Sequence, residues 1–382
     1  MRKSSRILIL VIIVVVLALV FPSACTTTEP KMENNRWLEL LNVLPANEST
    51  FNGAYLRDDA FKAEIRQKYP KVESPLYPND SAYVIPLFGD SPNAYSDESW
   101  QAELGFVKAD VDKTIYAGIP PMASYQAVYG RFDRPKIDNA AKNGPYQVVP
   151  EIVDYNGYQF YSWGGDNQIS LSLRTPVRPL GIGNRLALIN NFLFWVPKTN
   201  NMQDMIDSYT NKKESLADIK SYQRLAGTLA EANTFRAFFS SVSYSLDNIK
   251  EQYKSVFAQP ENMSDPVKRF IEEVQRTDIS LLKPFEAIAT GVGIDEKGYY
   301  LIIALYNSSA NIAKQNATLL KQRIEQSAEI FSGTKWQDIS SETKVSYAGQ
   351  VTTAKLYGEA ANYWDEFAIQ GFGMLQPLVV HE

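Results

Sequence analysis

Apolar residues run unbroken for any length only over the fifteen positions Ile7–Phe21; elsewhere they fall into short runs divided by Gly, Pro, Asn and Asp. Such runs predict an alternation of short helices and strands. Trp37–Leu44 (WLELLNVL) reads as a helix stopped by Pro45, and Phe51–Leu56 as extended chain. Asp58 is placed to cap a helix carrying Phe61, Ile65 and Tyr69 on one stripe. Residues 70–100, rich in Pro, Asn, Asp and Ser, read as a surface connection around a short strand at Tyr83–Leu87. A strand at Lys113–Ile119 is followed by helices near Ser124–Tyr129 and Arg134–Lys142. Tyr146–Tyr155 and Tyr158–Trp163 form a hairpin about Asn156-Gly157, a dipeptide suited to a turn with two positive φ angles. Strands follow at Gln168–Arg174, Arg185–Ile189 and Phe192–Val196, then helices at Met202–Tyr209 and Asp218–Ala230, then a strand at Thr234–Ser241.

Residues 246–284 read as helical with polar interruptions, one helix opening at Ser264-Asp265-Pro266 with Pro in the first turn. Ala287–Ile294 and Tyr299–Tyr306 are predicted strands about Lys297-Gly298. Ser308–Phe331 is a predicted helix with Ala313, Ala317, Leu320, Ile324, Ala328 and Phe331 on one face. Val345–Tyr347 then pairs with Val351–Leu356 about Ala348-Gly349. KTIYAGI, a helix and VVPEIVDYNGYQFYSW match YYLIIALY, a helix and ETKVSYAGQVTTAKLY in order and in the Tyr-x-Gly turn. The match predicts a duplicated strand–helix–hairpin unit. The expected class is α+β, antiparallel sheets with helices packed on one face. The expected organisation is a signal peptide at 1–24, a tether at 25–36, an N-terminal α+β domain at 37–245, and a helical connection with a C-terminal α+β domain at 246–382.

The opening segment adds an address. Arg2, Lys3 and Arg6 precede the apolar run, and Pro22-Ser23-Ala24-Cys25 follows it. Fifteen helical residues rise about 22 Å, short of the roughly 30 Å hydrocarbon core, so the segment reads as an export signal. Ser23-Ala24-Cys25 resembles the end of a bacterial lipoprotein signal, whose cysteine receives a diacylglyceryl group. That resemblance implies lipidation of Cys25 and a body held on the extracytoplasmic side of a cell membrane; the alternative is an uncleaved signal anchor. Cys25 is the only cysteine, so the exported body has none for a disulfide.

Charge and composition exclude more than they assign. Beyond residue 24 there are 35 Lys and Arg against 43 Asp and Glu, a net charge near −8. Nucleic acid, which needs a basic footprint, is not an expected partner. The one histidine is His381, which removes Ser-His-Asp and Cys-His machinery and histidine-rich zinc sites. No cofactor or metal is expected. Asp110 and Asp112 stand two apart without the third acidic ligand and glycine of a calcium loop. Gly181-Ile182-Gly183, Gly291-Val292-Gly293 and Gly371-Phe372-Gly373 lack the third glycine of a dinucleotide loop. The candidate ligand site is the Trp163-Gly164-Gly165-Asp166-Asn167 loop, where Trp163 and Tyr161 could offer aromatic faces beside the Asp166 carboxylate. A plain turn explains the same residues.

The layout also resembles a loose class of exported prokaryotic proteins without an assigned activity. The shared features are Leu44-Pro45, Tyr155-Asn156-Gly157 and Ser215-Leu216-Ala217-Asp218 ahead of Ile219–Leu229. It implies a fold and no chemistry. The functional expectation is a membrane-anchored, non-enzymatic lipoprotein that binds a small molecule or supports an envelope protein. The alternatives are the solute-binding component of a transporter and a carboxylate-dependent hydrolase acting on envelope glycans.

Overall fold

Short strands that are apolar on both sides find a stable place only in a sheet covered on both faces. The computed structural model describes residues 35–73, 96–118, 125–178, 180–252, 254–258, 264–364 and 377–382. Cys25 and the signal, the strand expected at Tyr83–Leu87, and Gly371-Phe372-Gly373 lie outside the described residues. In chain order the elements begin with α1 (Arg36–Leu41), α2 (Glu48–Asn52), β1 (Ala54–Asp58), α3 (Asp59–Lys68) and α4 (Asp97–Leu104). Next come β2 (Val111–Ala117), β3 (Tyr125–Gly130), α5 (Arg134–Asn143), β4 (Glu151–Tyr155), β5 (Tyr158–Ser162), β6 (Arg185–Ile189) and β7 (Phe192–Val196). Then α6 (Thr199–Tyr209), α7 (Lys220–Glu231) and β8 (Thr234–Ser240) precede α8 (Leu246–Gln252), α9 (Lys254–Ala258) and α10 (Asp265–Gln275). The chain ends with β9 (Ala287–Asp295), β10 (Gly298–Tyr306), α11 (Ala310–Gln326), α12 (Trp336–Ile339), β11 (Ser340–Ala348) and β12 (Val351–Gly358).

The strands make one twelve-stranded sheet in the order β11-β12-β10-β9-β8-β1-β2-β3-β7-β6-β5-β4. Each neighbouring pair is antiparallel. The fold is therefore α+β with an antiparallel sheet, as the sequence predicts. The helices differ from expectation in covering both faces. Along β10, Tyr300, Ile302, Ala304 and Tyr306 enter a core shared with α1, α6 and α7. The alternate residues Tyr299, Leu301, Ile303 and Leu305 enter a core on the opposite face with α11 and α12. Farther along that second face, α4 and α5 cover β6 and β7 through Trp100, Leu104, Ile137 and Ala141. The reason lies in the strand itself: YYLIIALY has no polar face to leave in water. The expected boundary at 245/246 falls between β8 and β9, which are paired neighbours, and residues from Met32 to Glu382 cluster as one unit.

One order of elements occurs twice about the central β1–β8 pair. A central strand leads through helices to a neighbouring antiparallel pair, β2–β3 or β9–β10, and then to α5 or α11. A meander follows, and its last strand returns onto β3 or β10. In the second half the meander is β11–β12; in the first it is β4 to β7. The sequence comparison therefore pairs the wrong strands. β6–β7 holds the place of β11–β12, and β4–β5 is an added hairpin at the outer edge, with no counterpart at the other end among the described residues.

Four other expectations change. Ser124–Tyr129 was expected as helix, but Tyr125–Gly130 is β3, buried along most of its length; without a polar face it has no period-two signature. Gln168–Arg174 was expected as a strand; among the described residues it pairs with no strand, and Leu171–Leu173 is a single 3-10 turn. The alternating Ile169 and Leu171 are 56% and 60% exposed. Within residues 70–100, Asp97–Leu104 is a helix, capped by the Ser96 side chain accepting from the Ser99 N–H (3.3 Å) and closed by Gly105 at φ 80°. The helix expected to reach Phe331 ends at Gln326.

Candidate functional site

The β4–β5 hairpin forms where Asn156 and Gly157 adopt φ 53° and 86°. Two consecutive positive φ angles make the tight turn whose twist matches that of paired strands. The turn is held to the C-terminal part of α6 by Asp207, which accepts from the Tyr155 hydroxyl (2.7 Å) and the Asn156 amide (2.8 Å). That hydrogen bond is the main cause raising the Tyr155 phenol above its usual pKa.

On the α5 side of the hairpin, register sets Ile152 beside Tyr161 and Tyr161 beside Leu186. This row forms the floor of a groove of about 110 Å³ whose wall is α5, through Arg134, Asp138 and Lys142. The Tyr161 hydroxyl donates to Asp138 Oδ1 (2.9 Å). Burial, reinforced by that bond, pushes its phenol up to about 12. Arg134 donates to the Leu188 carbonyl, and Lys142 Nζ lies 5.9 Å from the Tyr161 ring centroid. The groove's polar groups are thus largely engaged with one another, and Ile152, 48% exposed, marks its mouth.

Behind the hairpin, the loop from Trp163 to Asn184 is pinned by groups that the sequence offered as ligand contacts. Trp163 is buried, and its ring carries the Arg178 guanidinium at 4.5 Å. Trp195 and Tyr146 complete the enclosure at 4.6 and 4.3 Å. Arg178 Nε donates to Glu103 Oε1 (2.6 Å), with both side chains 1% exposed, and Nη1 donates to the Gly183 carbonyl (2.5 Å). Burial pulls the Arg178 pKa below the ordinary guanidinium range, and Glu103 acts against it. Gly183 is required here, since a Cβ would stand 1.7 Å from the Trp163 carbonyl oxygen. Trp163 therefore offers no face to solvent: its aromatic partner is the chain's own arginine. Asp166 accepts from Thr199 N (3.0 Å) and Oγ1 (2.9 Å), capping α6, and pairs with Arg185 at 2.8 Å. Of the three residues predicted for a ligand site, only Tyr161 lies on the groove.

Residues that sequence reasoning passed over are more exposed. Val149 (84%), Ile152, Ile169, Leu171 and Leu180 are five of the eight large apolar side chains most open to solvent among the described residues. The Tyr146 hydroxyl donates to the Gly181 carbonyl (3.0 Å), which brings the approach to β4 against the loop carrying Leu180. Asp110 accepts from the Val107 N–H (3.0 Å) and Asp112 lies 3.7 Å from Arg131, so both serve the start of β2. Among the described residues no group of three or more His, Cys, Asp or Glu side chains could hold a metal ion.

No family model matches the chain, and no curated protein matches it. Among solved structures it is similar to the one titled "Structure of crystal form I of TP0453", at 8% identity and a TM-score of 0.35, over 84% of this chain and 94% of that one. A likeness of that size carries neither fold nor function across.

Proposed function

We propose that the chain is a lipid-tethered protein of the extracytoplasmic side that acts by binding rather than by catalysis. Its partner is another polypeptide of the cell envelope, and its working surface is the β4 end of the sheet. The observation that carries this proposal is the concentration of exposed apolar side chains at that end, with Ile152 on the groove and Val149, Ile169, Leu171 and Leu180 on the approach to β4 and the loop behind the hairpin. Contiguous exposed apolar surface on a folded protein marks an interaction site. The groove's size favours a partner's side chain over a free solute, since about 110 Å³ falls below the roughly 300–1,000 Å³ of small-molecule pockets. The tether rests on Ser23-Ala24-Cys25 behind the short apolar run. A lipid there would hold the body at the membrane through the polar residues 26–35.

Two measurements test the proposal. A photo-crosslinking side chain at position 152 of the full chain, in intact envelopes, is expected to give a discrete polypeptide adduct. The same group at position 347, at the other end of the sheet, is expected to give none. Adducts at both positions, or at 347 alone, would overturn the assignment of the surface. Cys25→Ala is expected to lose the lipid mass and the membrane fraction; retention on the membrane at full precursor mass would refute the tether.

A further inference from the structure

We infer that the partner is held at this end as an extended segment added to the sheet beside β4, with an apolar side chain facing Ile152 and a basic one facing Asp154. The inference rests on the proposed reading of the β4 end as the binding surface.

The backbone supplies the first argument. Among the described residues β4 is the outermost strand at its end of the sheet and pairs only with β5. In a two-residue hairpin the residues flanking the turn, here Tyr155 and Tyr158, exchange hydrogen bonds, and the pattern alternates from there. Tyr155, Val153 and Glu151 therefore bond to β5, while the N–H and C=O groups of Ile152 and Asp154 turn outward. These are two donors and two acceptors, spaced about 7 Å apart as an extended chain requires. Pro150, lacking an N–H, ends the row. An open edge of this kind is a template for a further strand.

Side chains select what that strand carries. The row Leu186, Tyr161, Ile152 would continue onto it, so its residue opposite Ile152 stands at the mouth of the groove. Arg134, Lys142 and Asp138 are already engaged in that groove, and an apolar side chain asks nothing of them. Two residues along, Asp154 faces the same side; its carboxylate accepts only from Gln159 Nε2 (2.8 Å) among the hydrogen bonds seen, and β4 holds Glu151 but no basic residue. A cation opposite Asp154 completes the pair. A second copy fits less well. The register that satisfies all four outward groups between two β4 strands centres on Val153, and it sets Ile152 against the other copy's Asp154. It would also join two bodies that each carry net negative charge.

The test uses the full chain in detergent and a blocked, fluorescent octapeptide of threonine and valine in which one leucine and one lysine stand two positions apart. Saturable binding is expected. Ile152→Pro removes an outward N–H and leaves the β4–β5 ladder intact, so it is expected to weaken binding at least tenfold with an unchanged unfolding midpoint. Ile152→Val, which keeps both the N–H and an apolar side chain, is expected to weaken binding far less than Ile152→Pro does. Glutamate in place of the peptide's lysine is expected to weaken binding at least tenfold. Equal binding by Ile152→Pro overturns strand addition, and equal binding of the glutamate peptide overturns the choice of a basic segment. A dimer that Ile152→Pro dissolves would give the edge to a second copy and overturn the inference as well. Failure of every peptide defeats strand addition alone, because the crosslinks at 152 and 347 judge the binding surface independently.

Discussion

The two ends of the sheet solve the same problem in opposite ways. At one end β11 is nine residues long and breaks register between Ser340 and Thr343. It also carries a charged ladder: Glu342 lies 2.6 Å from Lys297 and 3.6 Å from Lys344. A bulge and lysines are the usual means of denying an exposed edge to another strand. At the other end β4 is five residues long, runs in register with β5 without a shift, and has Ile152, with Val149 just ahead of the strand, open to solvent. The protected edge closes the repeated plan. The open edge belongs to the hairpin that has no counterpart among the described residues of the other half. A strand can therefore be spared from the sheet's own architecture and left available.

The comparison can be broken most directly at Arg178. Removing one member of a buried ion pair strands the other charge, at a cost of about 3–5 kcal/mol. Arg178→Ala is expected to lower the unfolding free energy measured by urea titration by that amount, leaving Glu103 buried and uncompensated. The double replacement Arg178→Met with Glu103→Leu is expected to recover most of the loss, because the pair's charge is costly to bury and its volume is what the core needs. A smaller effect should be equal at both ends. Gly157 (φ 86°) and Gly349 (φ 54°) turn the two terminal hairpins with nothing within 4 Å of an added Cβ. Alanine at either is expected to cost about 1–2 kcal/mol from backbone conformation alone, measured by denaturant titration. A large inequality would show that the ends differ in rigidity as well as in accessibility.

A pH effect is smaller again. Burial and the Asp138 bond raise Tyr161 to about 12, so folding favours the protonated phenol. That contribution is complete below the unfolded value of about 10 and disappears as pH rises toward the folded one. The midpoint of the parent is expected to fall more steeply than that of Tyr161→Phe between those limits. The smallest effect is expected at the protected edge: Lys297→Ala should leave the midpoint unchanged, since solvent-exposed ion pairs contribute little to stability.

Local features of the β4 end are legible in the sequence. The Asn156-Gly157 turn is readable because few residues other than Asn and Gly tolerate its φ angles. Arg185–Ile189 and Phe192–Val196 are readable because apolar runs of four (Leu186–Ile189) and five (Phe192–Val196) are set off by the Asn190-Asn191 turn between them and by Gly183-Asn184 and Pro197 outside it. Asp58 caps α3 as its position suggests, accepting from the Phe61 N–H at 2.9 Å. What escapes is anything fixed by distant partners. β3 loses its periodicity because both its faces are covered. Trp163 and Asp166 have the composition of a ligand loop, yet Arg178 and Thr199, 15 and 33 residues away along the chain, claim them as structural groups. That β4 lies at an edge depends on β7 pairing with β3, more than sixty residues apart. No local pattern announces that. A weak signal was present in Val149 and Ile152, apolar positions on either side of Pro150 that leave the β4 stretch without a clean polar face.

The seam at the middle of the sheet has a kinetic consequence. β1 meets β8 through Ala54↔Phe239 to Arg57↔Arg236, joining segments some 180 residues apart. A chain delivered from its N-terminus can complete β1 to β7 well before Thr234 arrives, and until then the inner border of that half-assembled sheet stays bare. Contacts of such long span are slow to form. The centre of the finished molecule thus waits for β8, and until that strand arrives the border of β1 is where a chaperone or a misplaced strand would find its opening.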